Sequence, residues 1–93
     1  MTMQCTGKRK TNLGVTGWET TYVLDADKKY ICEMINDECK KRAIKLDGSH
    51  ITAEIVEDDG PSDELDFDKE SLKLIHTVKF HDAIIIYDLI CEN

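Results

Sequence analysis

The chain has 93 residues, 41% hydrophobic and 33% charged, with a net charge of −7 and a pI near 4.8. That length suffices for one domain (1–93) with a modest core and excludes two; the acidic balance excludes direct binding to nucleic acid or anionic membranes and favours basic protein surfaces. No apolar run reaches the roughly 18 residues of a membrane-spanning helix, and the opening Met1-Thr2-Met3-Gln4-Cys5 lacks a signal-peptide core, so a cytoplasmic location is expected.

In chain order, residues 1–12 carry the basic triplet Lys8-Arg9-Lys10 with little periodicity and read as a flexible tail. Trp18 to Leu24 alternates Trp18, Thr20, Tyr22 and Leu24 against Glu19, Thr21 and Val23, the pattern of a strand rich in aromatic and β-branched residues. Asp25-Ala26-Asp27 follows as a helix cap. Tyr30, Ile31, Met34, Ile35, Cys39 and Ala43 then recur at helical spacing, with Lys40-Lys41-Arg42 at the end that suits positive charge. The spacing predicts a helix over 27–42. Asp47-Gly48 either closes that helix region or turns a hairpin.

Ser49 to Glu57 alternates again and predicts a second strand. Leu72 to Phe80 fits a third, with Leu72, Leu74, His76, Val78 and Phe80 in one row, although a helix over 68–78 capped by Asp68 has comparable spacing. Ala83 to Cys91 is apolar on both faces and predicts a central strand covered on both sides. The expected architecture is α+β: an antiparallel sheet of about four strands in the order β-α-β-β-β, with one helix on one face. One helix covers only one face, so the other needs a second helix, the N-terminal segment or another copy of the chain; a homodimer through Ile84, Ile86 and Ile90 is the expected remedy.

Charge is concentrated between the second and third strands. The stretch Glu54 to Glu70 holds nine acids, Glu54, Glu57, Asp58, Asp59, Asp63, Glu64, Asp66, Asp68 and Glu70, against the single base Lys69. From Glu64 an acid stands at every second position, with Leu65 and Phe67 between. In an extended chain, same-side neighbours lie about 6.6 Å apart, so Glu64, Asp66, Asp68 and Glu70 would form one row of carboxylates. Nucleic acid is the common polymer with regularly spaced negative charge, and such a row imitates it.

Other chemistry finds no pattern. Cys32 and Cys39 stand too far apart for the short gap of structural zinc motifs. The acidic run lacks the glycine of a calcium loop. His50, His76 and His81 fall in no nucleophile motif, and there is no phosphate-binding glycine loop. No cofactor and no enzymatic activity are expected. Cys5, Cys32, Cys39 and Cys91 are expected as free thiols in a reducing compartment.

In size, acidity and the concentration of carboxylates in Glu54–Glu70, the chain resembles the small anti-restriction DNA-mimic proteins of bacteriophages, the Arn type. That resemblance implies an inhibitor, often dimeric, that occupies the DNA-binding site of a restriction endonuclease or another DNA-binding protein in a host cytoplasm. The basic clusters Lys8–Lys10 and Lys40–Arg42 depart from it. The alternative is an interaction adaptor or subunit that docks through Ile84, Ile86 and Ile90, with the acidic run merely solvating.

Overall fold

The computed structural model describes residues 1–55 and 61–93. They form nine strands: β1 (Thr2–Thr11), β2 (Gly14–Asp25), β3 (Tyr30–Ile35), β4 (Glu38–Ala43), β5 (Lys45–Asp47), β6 (His50–Ile55), β7 (Ser62–Asp68), β8 (Lys73–Lys79) and β9 (Ile84–Glu92). All pairings are antiparallel, in the order β4-β3-β2-β1-β9-β8-β7-β6-β5. Only Ile44 separates β4 from β5. Its N–H still bonds back to Lys29 O (3.2 Å), after which the chain pairs with β6 instead of β3. β4 and β5 are therefore one bent strand that changes partner, and the sheet is an eight-position meander rolled into a nearly closed barrel.

The α+β expectation is thus corrected to all-β. The predicted helix over 27–42 is the β3–β4 hairpin, reversed at Asn36 and Asp37, both with positive φ (51° and 65°). Two such residues in succession make a turn whose twist matches the strands, and Asn and Asp tolerate that conformation. Before it, Asp25 does not cap a helix. Its carboxylate accepts from the Lys28 N–H (3.0 Å) to close a turn. The flexible tail expected over 1–12 is β1, hydrogen-bonded on both edges to β2 and β9. Asp47-Gly48 turns the β5–β6 hairpin, with Gly48 at φ 62°, and 73–79 is strand, not helix.

Barrel closure also removes the argument for a dimer. One face of every strand points into the lumen, so no second layer is needed there. The last strand is central, between β1 and β8, yet its outer face is not covered: Ile84 and Ile90 are 51% and 59% exposed.

Alternation sorts the lumen into two halves. One end is sealed by Met3, Cys5, Leu24, Ile31, Ile51, Phe67, Leu74, Leu89 and Cys91, all buried. Inward positions toward the other end are Arg9, Trp18, Thr20, Tyr22, Glu33, Asp63, His76 and Tyr87, in register across the ladders. At Gly7 the backbone of β9 lies close against β1; a Cβ there would overlap Asp88 O, so only glycine fits.

The cysteines are paired and not free. Cys5 and Cys91 oppose each other in the β1–β9 ladder with Cα atoms 4.0 Å apart. Cys32 and Cys39 lie diagonally across the β3–β4 hairpin, Cα atoms 5.4 Å apart. A sulfur link stabilises more when the loop it closes is longer, and here the partners are 86 and 7 residues apart. In urea unfolding of the oxidised protein, C5A/C91A is expected to lose about 4 kcal/mol and C32A/C39A about 2 kcal/mol. The reverse order would contradict this account.

Candidate functional site

Two sites follow from the alternation, one on each face of the sheet. On the outer face, β7 presents Glu64 and Asp66, with Asp68 half-buried at the strand end. Glu54 of β6 stands directly opposite Glu64, and Thr52 opposite Asp66. A groove of about 620 Å³ runs along this face, with Glu54, Glu64 and Asp66 above Ala43, Ala53, Leu65 and Ile75, and Lys45 at its edge. Few bases temper it. Lys79 Nζ lies 3.8 Å from Glu64, and His50 Nδ1–H donates to Asp66 (2.8 Å), a bond that raises the His50 pKa. Asp68 accepts from the Glu70 N–H (2.9 Å), which holds its pKa below the usual carboxylate value.

Of the nine predicted carboxylates, the structure brings Glu54, Glu64, Asp66 and Asp68 onto one outer face. Glu70 falls in the turn after β7. Glu57, Asp58 and Asp59 lie outside the described residues. Asp63 is a correction. It has the parity of Leu65 and Phe67, faces inward, and is taken by Arg42, whose Nε and Nη2 donate to its two oxygens at 2.9 and 3.1 Å. It does not belong to the outer row.

On the inner face, that ion pair anchors a polar cluster that sequence reasoning missed. Arg42 and His76 are 7% and 3% exposed. Burial drives Tyr22 well above the ordinary tyrosine pKa, so its hydroxyl keeps its proton and donates to His76 Nδ1 (3.0 Å). The His76 proton is then on Nε2, 3.7 Å from Asp63 Oδ1. Burial, followed by the Arg42 charge, pushes His76 down to about 4, against the pull of Asp63. Glu33 accepts from Thr20 (3.0 Å), yet burial still raises its pKa. Toward the open end, Arg9 Nε donates to Tyr87 Oη (3.5 Å) and its guanidinium lies over the Trp18 and Tyr87 rings, 5.7 and 6.0 Å from their centroids. The available signal was parity: Arg42 pairs with Ile31, and His76 follows Leu74 by two, each in a row of core residues.

Among the described residues, no three His, Cys, Asp or Glu side chains converge as a metal-holding group, and no helix is long and apolar enough to cross a membrane. No family model, curated protein or solved structure matches the chain.

A buried neutral histidine makes stability depend on pH. Unfolded, His76 titrates near 6.5; folded, it does so at about 4. Between these values the unfolded chain binds a proton that the folded one refuses, so stability is full above pH 6.5 and falls as pH drops, by about 3 kcal/mol at pH 4. Urea midpoints across pH 7 to 4 should therefore show a shallower decline in H76Q. Glu33 and His50 are present in both proteins and cancel in the comparison.

Proposed function

We propose that this protein is a binding module, not an enzyme, that presents its acidic β6–β7 face to the DNA-binding surface of a basic partner, as a DNA mimic does. The observation that carries the proposal is the pairing of Glu54 with Glu64, continued along the same face by Asp66 and Asp68. Like charges directly across a ladder destabilise a sheet. Folding gains nothing from them, whereas a partner that binds phosphates does. Same-side spacing of about 6.6 Å along a strand supports the reading, as does the groove lined by Glu54, Glu64 and Asp66. A restriction endonuclease is one such partner. Under this reading the protein acts in the cytoplasm of the cell that holds that partner.

A second reading rests on the outer face of β9. Ile84, Ile86 and Ile90 share that face with Asp88, which pairs with Lys10, and Ile84 and Ile90 are exposed. Lys8 on one flank and Lys73 on the other complement the acids of a second copy, so this face would dock another molecule of this chain.

The two readings separate by salt. Binding through carboxylates falls by orders of magnitude between about 50 and 200 mM salt, whereas an apolar interface persists. The variant E54Q/E64Q/D66N/D68N keeps the Arg42–Asp63 pair. It is expected to fold normally and lose capture of DNA-binding proteins at low salt, as measured by pull-down with duplex DNA as competitor. Unchanged capture would sink the mimicry reading. Self-association lost in I84D/I90D, by light scattering, would support the second.

A further inference from the structure

We propose that the open end of the barrel is a binding cup for a small aromatic acid, whose ring lies against Trp18 and Tyr87 and whose carboxylate reaches Arg42 Nη1 and His76 Nε2. These two atoms are buried and have no hydrogen-bond partner in the protein. Both side chains are more than nine-tenths buried, and both stand around the same oxygen, Asp63 Oδ1, 2.9 Å from Arg42 Nε and 3.7 Å from His76 Nε2. Leaving a buried donor unmade costs about 1–3 kcal/mol, so two together at the floor of one lumen call for an acceptor from outside the chain.

Access comes from the end away from the apolar seal. The inward-facing Arg9, Thr20, Glu33 and Tyr87 are only half-buried, whereas inward residues at the sealed end are fully buried. At this rim the Trp18 and Tyr87 rings stand 5.3 Å apart, tilted by 55°. Barrel mouths are common ligand sites, with apolar and aromatic walls and a few convergent polar groups.

The charge of the lumen selects the ligand. Arg9 and Arg42 contribute two guanidiniums, which do not lose their protons. Asp63 answers Arg42 with both oxygens, and Glu33 accepts from Thr20. A cation would find Asp63 already taken and two guanidiniums as neighbours. An aromatic carboxylate would supply the acceptor that Arg42 Nη1 and His76 Nε2 lack. The cup and the acidic outer face lie on opposite sides of the sheet, so either assignment can fail without the other.

Trp18 is the only tryptophan, so its fluorescence reports on the cup directly. Titration with benzoate should quench it saturably, with a Kd on the order of 1 mM for so small a probe. Benzoate should also shift the Trp18 indole and Arg42 Nε resonances in 15N spectra. Benzamide and benzylamine should bind at least about tenfold more weakly. Arg9→Met, followed by Trp18 fluorescence, and Trp18→Leu, followed by the Arg42 Nε resonance, are both at the rim and should retain the native fold and weaken benzoate severalfold. The proposal is overturned if benzoate fails to saturate by about 20 mM, if benzylamine binds as well, or if the shifted resonances lie outside the lumen.

Discussion

The barrel depends on one ion pair at the place where its backbone ladder changes hands. β4 bonds to β3 and β5 bonds to β6, so no ladder runs from β4 to β6 among the described residues. Arg42 at the end of β4 crosses that seam to Asp63 of β7 with two short hydrogen bonds. Desolvating two charges is costly, and only good geometry returns the cost; the bidentate fork supplies it. The pair then fixes its neighbours. It leaves Arg42 Nη1 and His76 Nε2 in the lumen, places a positive charge beside Tyr22, Glu33 and His76, and removes Asp63 from the outer row.

Register does the rest of the sorting. Because side chains in a strand alternate, adjacent acids in sequence have opposite fates. Asp63 is structural and Glu64 is displayed. The same alternation gives β9 its buried Leu89 and its exposed Ile90. A chain with one continuous acidic run thus builds two electrostatic environments: a screened outer face where carboxylates face water, and a lumen where burial suppresses ionisation of Glu33 and His76 alike.

How much of this was legible in the sequence depended on how local the signal was. The strands around Trp18–Leu24, Ser49–Glu57, Leu72–Phe80 and Ala83–Cys91 announced themselves because alternation is a local property, and the outer row of Glu64, Asp66 and Asp68 followed from it. The β3–β4 hairpin did not. Tyr30, Ile31, Met34 and Ile35 fall at helical spacing only because Cys32 and Met34 pack on the outer side of a hairpin whose inner side carries Ile31 and Glu33. The punctuation that distinguishes the two is Asn36-Asp37, a weaker turn signal than Asn-Gly. β1 was hidden because its exposed face is basic and polar. The inner cluster was hidden because it joins residues from β2, β4, β7 and β8, and no periodicity reports which distant strands will meet; even so, the parity of Asp63 with Leu65 and Phe67 pointed inward.

The order of strands also bears on how the chain finds this structure. β1 to β4 form one local meander and β5 to β9 another, each built from hairpins between sequence neighbours. Among the described residues a single ladder, β1 with β9, joins them. Loop-closure entropy must be overcome before that pairing returns any stability, so the union of the two meanders is the least local contact of the fold. Gly7 stands at that union, where a side chain would hold β1 and β9 apart. The least bulky residue of the first strand is therefore the one that lets the two meanders meet.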